Sequence, residues 1–437
     1  MDSRRLTLAA AALFAVVVLV RPTPLGLFGV DGACYARIAR DLAAQPVATW
    51  ADVRWDDGAF HEHPPLALWL EAGWFRVFGA TAAAAVWLAR TYALLLGAVV
   101  FLVARKVSGL RVAALSLVGL SVLPSFIFES QNPMFEGPLT LAFACALWAT
   151  TRLKTSRLAV LGFAVSVVAA FWVKGVPAFA GGALLGWALW QGVRWPRVVE
   201  TAGASVALLL VTALGFEAWS RASGLTTFFS DYAHKQLVTS FVEGRGNPVS
   251  SPFFYAGVLL DWHLAFVVAL PMVALHFKRL STSARALASL GLWHAVLIVV
   301  GFSFAKQKNT WYLAPLLPGA AWVVGVALSA LVARARAVLD VTPLRRRALP
   351  MALVLGALAF GGVQLGLGTS RDTPREAAIR AVAATPLEAQ RGSVANCSVL
   401  GEWVGAHLFE FHWHAAMVAC DAPAQWRFDG RELTRTQ

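Results

Sequence analysis

Eleven apolar stretches dominate the chain, near residues 6–21, 82–104, 112–128, 138–151, 158–173, 175–192, 199–219, 254–276, 286–304, 312–332 and 348–368. About 20 apolar residues in a helix cross the hydrocarbon core of a bilayer. Inside that core only helices and closed barrels satisfy their own backbone. The pattern predicts an all-α polytopic membrane protein of about 11 transmembrane helices. The fourth and fifth stretches are short, so the count holds to within one or two. Arg21-Pro22-Thr23-Pro24 is a poor small-residue cleavage site, which makes the first stretch a retained helix. Composition agrees. Of the residues 58% are hydrophobic and 14% charged, where a soluble domain carries about 25% charged. Such values exclude a disordered chain and argue against an ordinary soluble enzyme. The 18 Trp and 27 Phe suit interfacial aromatic belts.

Lys and Arg exceed Asp and Glu by 37 to 24, a net charge of +13. In a soluble chain this would point to nucleic acid. Here the basic residues fall in alternate short loops, as cytoplasmic loops require. With Arg4 and Arg5 placed inside, those loops hold Arg105, Lys106 and Arg111; Arg152, Lys154 and Arg157; Arg194 and Arg197; Lys278, Arg279 and Arg285; and Arg334, Arg336 and Arg345–Arg347. The outer loop 129–137 has none. The charge is therefore an orientation signal. It predicts a cytoplasmic N-terminus, an extracytoplasmic C-terminus and three outer regions, 22–81, 220–253 and 369–437. Residues 1–368 form the membrane module. Residues 369–437 read as a small α+β outer domain, with a helix from Thr373 to Gln390 and short strands over 393–428. Cys397 and Cys420 lie in that tail, where an oxidising compartment would permit a disulfide. Cys145 reads as an apolar filler. His412 and His414 read as packing residues.

The polar residues gather on the outer side. Val30 to Leu42 has helical apolar spacing, with Tyr35, Ile38, Ala39 and Leu42 on one side, as in an interfacial helix. Asp31 at its start is a simple N-cap or a functional carboxylate. Pro64-Pro65 opens a second amphipathic helix running to Phe78-Gly79. It presents His61, Glu62 and His63 at a helix N-terminus, which favours anions. The bland alternative is a capped polar loop. Glu136, in the stretch Glu129 to Leu139, stands at the outer start of the fourth span, where it is solvated by headgroups or faces a water-filled cavity as a functional group. The loop from Phe228 to Pro248 has the length of an active-site cover. Its Gly244-Arg245-Gly246-Asn247 is flexible or binds phosphate.

Together these segments resemble the polytopic lipid-sugar glycosyltransferases of the GT-C class, related to protein O-mannosyltransferases and the aminoarabinose transferase of lipid A. The resemblance rests on Asp31 with Tyr35, His63-Pro64-Pro65-Leu66 with Trp69 and Phe78-Gly79, Glu136, Lys174-Gly175 with Pro177, and the segment Phe302 to Pro318 containing Lys306, Lys308 and Tyr312. It covers about residues 1–335. It implies a polyprenyl-phosphate sugar donor and a glycan, lipid or protein acceptor, with Asp31 as general base and inversion at the anomeric carbon. It implies substrate contacts from Glu136, His61, Glu62, His63, Tyr35 and Tyr312. It assigns the leaving phosphate to Lys174, Lys306, Lys308 and Arg90. The site would face outward from the cytoplasmic (inner) membrane of a cell. Departures are Gly32 where many relatives have Glu, Glu136 for Asp, His63 for Lys, and a shorter tail. They leave the sugar and acceptor open. A transporter is the alternative, but no repeated halves are visible and the polar residues avoid mid-span positions. No cofactor is required by this reading. A divalent metal on His61, Glu62, His63 and Asp57 is left open, although their spacing lacks an i, i+4 pair.

Overall fold

The computed structural model describes residues 3–20, 30–55, 58–225, 228–243, 249, 251–338, 356, 393–397, 416–429 and 433–436. The chain enters with α1 (Ser3–Ala15), continued by a wider turn over Val16–Val20. Next comes α2 (Val30–Ala44). It buries Ala33, Ala36, Ile38, Ala39 and Leu42 and exposes Asp41, the two-sided pattern its spacing predicts. A two-residue hairpin, β1 (Arg54–Trp55) and β2 (Gly58–Ala59), leads into α3 (Leu66–Phe78). α3 starts after Pro65 and stops at Gly79, whose φ of 84° few other residues adopt. Indole hydrogen bonds tie this layer together. Trp69 Nε1 donates to the Trp50 carbonyl at 2.9 Å, and Trp50 Nε1 to that of Leu42 at 2.8 Å.

Long apolar helices follow. α4 (Ala82–Ser108) is capped by Thr81, whose hydroxyl accepts from the Ala84 amide at 3.1 Å. The stretch 112–128, expected as one span, is two helices, α5 (Leu110–Ser121) and α6 (Pro124–Glu129). Pro124 has no amide hydrogen and holds Leu123 in the extended region, so the helix stops there. Then come α7 (Glu136–Thr150), α8 (Leu158–Lys174), α9 (Ala180–Trp190) and α10 (Trp195–Ala222). The short α11 (Phe228–Ala233) precedes a π-helical segment, His234–Glu243. The expected span 254–276 is also broken. α12 (Phe254–Trp262) and α13 (Leu264–His276) meet at 94° around His263, whose backbone leaves the helical region and whose ring is buried beside Ser125. α14 (Thr282–Ser303) and the 3₁₀ segment Thr310–Leu316 lead to α15 (Leu317–Val338).

α15 is the axis of the bundle and packs against α5, α13 and α14. Without a hydrophobic drive between helices in lipid, close approach of small residues supplies the contact. A Cβ placed on Gly291 of α14 would lie 2.6 Å from the Gly319 carbonyl oxygen of α15. Trp322 is fully buried and donates its indole hydrogen to the Val100 carbonyl at 3.0 Å.

By length and composition four described helical segments can cross a membrane, Ala82–Ser108, Trp195–Ala222, Thr282–Ser303 and Thr310–Arg334, and the bent pair makes a fifth. Leu110–Ser121, Leu158–Lys174 and Val176–Trp190 are apolar but shorter. Apart from residue 356, the expected span 348–368 lies outside the described residues, as do the tail helix 373–390, Asp57, Gly244–Asn247, His412 and His414. Within 393–428 the described strands are β3 (Ser393–Asn396), β4 (Ala416–Ala419) and β5 (Trp426–Phe428), and a further strand, β6 (Leu433–Arg435), lies beyond the expected range. They form a sheet of order β4-β3-β5-β6, with β3 parallel to β4 and β5, and β6 antiparallel to β5. Cys397 and Cys420 are joined in a disulfide.

Candidate active site

Two helix ends of opposite polarity meet at the centre of the site. Glu136 opens α7, where the helix dipole favours an anion. Lys174 closes α8, where it favours a cation. Because α7 and α8 pack together, the two side chains meet: Lys174 Nζ donates to Glu136 Oε1, and both residues are buried. The ammonium also stands 4.5 Å from the centre of the Tyr312 ring, at cation–π distance.

Asp31 lies in the first turn of α2. A Cβ on its neighbour Gly32 would lie 3.4 Å from the Pro133 ring, so the start of α2 abuts the segment that leads into Glu136. Burial pushes the Asp31 carboxyl up to about 6; the Glu136 charge adds to that, Lys174 opposes it, and Glu62 adds a smaller push. A carboxylate tuned this close to neutrality can accept a proton and later release it.

Aromatic rings wall the site. Tyr35 stacks on Phe135 with centroids 3.9 Å apart, and His63 stands edge-on to Phe135 at 5.1 Å and to Tyr35 at 6.2 Å. Beside them is a cavity of about 380 Å³. His63, Lys174, Gln236, Gln307 and Tyr312 contribute its polar lining, and the rest, including Phe179, Ile298 and Phe302, is apolar.

The segment 228–243 closes over this region. Asp231 Oδ2 accepts from His61 Nδ1 at 2.9 Å, Gln236 Nε2 donates to the Glu62 carbonyl at 2.5 Å, and Phe228 packs on the His61 ring. Tyr232 reaches deeper. Its hydroxyl accepts from the Val176 amide at 3.0 Å and donates to the Lys174 carbonyl at 3.4 Å. Gly175 makes room for it: its φ is 73°, and a side chain there would collide with the Tyr232 hydroxyl.

Of the residues singled out in the sequence, the structure gathers Asp31, Tyr35, His63, Glu136, Lys174 and Tyr312. It ties His61 and the backbone of Glu62 to the covering segment. Three expected phosphate cations are not among the residues that line the cavity. Arg90 lies over the Trp87 ring at 4.9 Å. Lys306 is exposed and does not line the cavity. Lys308 donates to the Val249 carbonyl at 2.9 Å. Helix-end position alone did not separate these cations from Lys174, which is set apart by its contact with Glu136. Asp231, Tyr232 and Gln236 lie in the loop that the sequence marks as a cover, and no local pattern singles them out. Glu129, to which the sequence reading assigns no role, is buried with neither carboxylate oxygen hydrogen-bonded among the described residues. Its signal was available, an ionisable residue at the end of an apolar stretch. No grouping of three His, Cys, Asp or Glu suited to a metal occurs among the described residues.

The family model described as dolichyl-phosphate-mannose-protein mannosyltransferase matches residues 62–219. The structure of ArnT from Cupriavidus metallidurans in the apo state is similar over 96% of this chain and 86% of that one, with a TM-score of 0.70 and 18% identity. The fold is that of ArnT. The same ArnT bound to undecaprenyl phosphate matches over 97% of this chain and 87% of its own, at a TM-score of 0.64 and 18% identity. The apo oligosaccharyltransferase of Archaeoglobus fulgidus matches over 96% and 65%, at 0.61 and 12% identity. No curated protein matches the chain. Its own long apolar helices, four with a fifth from the bent pair among the described residues, agree with the multi-pass membrane protein that the apolar stretches predict.

Proposed function

We propose that the chain transfers a sugar from a polyprenyl-phosphate donor to an acceptor hydroxyl or phosphate, with inversion, at the outer face of the cytoplasmic membrane. The observation that carries this reading is the junction of a buried polar centre with an apolar cavity: Lys174 and Tyr312 touch Glu136 or Lys174 on one side and line the cavity on the other. That combination suits a ligand with a charged head and a hydrocarbon tail. A relative of the same fold was solved with undecaprenyl phosphate.

In this reading Asp31 takes the proton of the acceptor hydroxyl as its oxygen attacks the anomeric carbon. The bond from that carbon to the phosphate oxygen breaks, and polyprenyl phosphate leaves with the electron pair. Lys174 stabilises the charge on the leaving phosphate. Glu136 holds its ammonium in place through one hydrogen, which leaves two for a ligand. His63 lines the cavity as a polar contact to the donor head, and Tyr35 and Phe135 form an aromatic platform for the sugar. Glu62 and His61 position the cover. Positive charge for the phosphate comes from Lys174, so the proposal requires no divalent metal.

The eleven-segment topology is part of the proposal, with the N-terminus inside and residues 369–437 as an outer α+β domain on the membrane module 1–368. The basic loops support that orientation. The short helices α5, α7, α8 and α9 then cross in contact with longer neighbours. A transporter is not favoured, because the polar centre sits at helix ends rather than mid-helix. The test is release of polyprenyl phosphate by purified protein in detergent from a panel of polyprenyl-phosphate sugars, with and without hydroxyl and phosphate acceptors. Release from at least one donor is expected. Intact donors throughout the panel would contradict the reading.

A further inference from the structure

A second cavity, of about 670 Å³, lies at the opposite end of the bundle. It is bounded by the junction of α4 and α5, the end of α13, the start of α14 and the last turns of α15. The segment that begins at Thr310, beside Tyr312, ends at Arg334 on this cavity. At 1.5 Å per helical residue the two sites are roughly 30 Å apart, about one hydrocarbon thickness. The loop charges put this end on the cytoplasmic side.

Its lining has one sign of charge. Arg111, Arg279 and Arg334 line it, and no Asp or Glu among the described residues does. Two of the arginines are held in place. Arg111 Nη2 donates to the Ser329 carbonyl at 3.2 Å. Arg334 is oriented by His276. The Met272 carbonyl, 2.9 Å from His276 Nδ1, can only accept, so Nδ1 carries the proton. Nε2 then accepts from Arg334 Nη1 at 3.4 Å. His276 thereby orients the Arg334 guanidinium. The remaining wall is apolar, including Val112, Leu280, Val326 and Ala330.

Guanidinium groups beside an apolar wall at a membrane edge match a phosphate ester carrying hydrocarbon. We infer that this cavity binds the phosphate headgroup of an anionic phospholipid of the leaflet opposite the active site. The inference does not depend on glycosyl transfer, and its test reads binding alone.

Purified full-length protein in detergent is titrated with phosphatidylglycerol, and with phosphatidylcholine as the zwitterionic control, by native mass spectrometry. Inorganic phosphate is the third ligand. Wild type should bind phosphatidylglycerol in preference to phosphatidylcholine. The double substitution Arg279→Gln, Arg334→Gln should weaken phosphatidylglycerol binding about tenfold or more, while the lipid-free unfolding temperature stays unchanged. Arg334→Lys, which keeps the charge, should bind within a few-fold of wild type and covers the case of a poorly folded double variant. Equal phosphatidylglycerol binding by wild type and double variant, or equal binding of the two lipids, overturns the site. Inorganic phosphate that displaces phosphatidylglycerol at comparable affinity would overturn the lipid as the occupant and leave a site for soluble phosphate.

Discussion

Lys174 and Glu136 share one buried contact, so removing either strands the other. Lys174→Met should destabilise the protein by about 3–5 kcal/mol, because Glu136 then lies buried without its cation. The double substitution Glu136→Gln, Lys174→Met should regain most of that loss in an unfolding titration and still fail to turn over. Asp31 gives a second prediction. A general base must be ionised to act, and its carboxyl titrates near 6. The rate should therefore rise with pH through about 6 and level off near 7. Glu62→Gln removes one of the charges that raise the carboxyl, so the midpoint should move down. A profile flat from pH 5 to 8 would contradict the base role. Glu136 and Lys174 were legible in the sequence because each sits at the end of an apolar stretch, and Asp31 because it opens an amphipathic helix; all three lie in segments that carry the family resemblance. Asp231 was not, because its partner His61 is 170 residues away and no local pattern carries that pairing.

Gly175 joins α8 to the covering segment, and the consequence belongs to both elements. Gly175→Ala should strain a backbone at φ 73° and displace the Tyr232 hydroxyl. We expect a loss of about 1–3 kcal/mol and a larger fall in turnover than in stability. Tyr232→Phe loses only the hydrogen bonds to residues 174 and 176, about 1 kcal/mol. Parallel unfolding and turnover assays on the two variants check this order. At this scale the sequence spoke clearly where proline and glycine punctuate it. Pro64-Pro65 and Gly79 frame α3, yet the break at Pro124 was read through, because the residues on both sides are apolar and continue the run. The bend at His263 has no such marker. It depends on a buried ring meeting α6, a tertiary contact that hydropathy does not record.

Across the whole molecule two polar centres lie at opposite ends of one apolar layer. The loop charges make that orientation testable. Thr155 and Ser223 are exposed positions on opposite predicted sides. In right-side-out vesicles, a membrane-impermeant maleimide should label Ser223→Cys directly and Thr155→Cys only after permeabilisation; the reverse pattern would invert the topology. The overall architecture was readable because about 20 apolar residues recur with charged loops between them. How the layer bends and which outer segments meet was not, since those follow from packing between distant elements. The most direct test of the central claim compares wild type and Asp31→Asn on the best polyprenyl-phosphate sugar, measuring donor binding and release of polyprenyl phosphate separately. We predict donor binding within a few-fold of wild type and turnover reduced by about 10²–10⁴. Wild-type turnover in the Asp31→Asn protein would contradict the account.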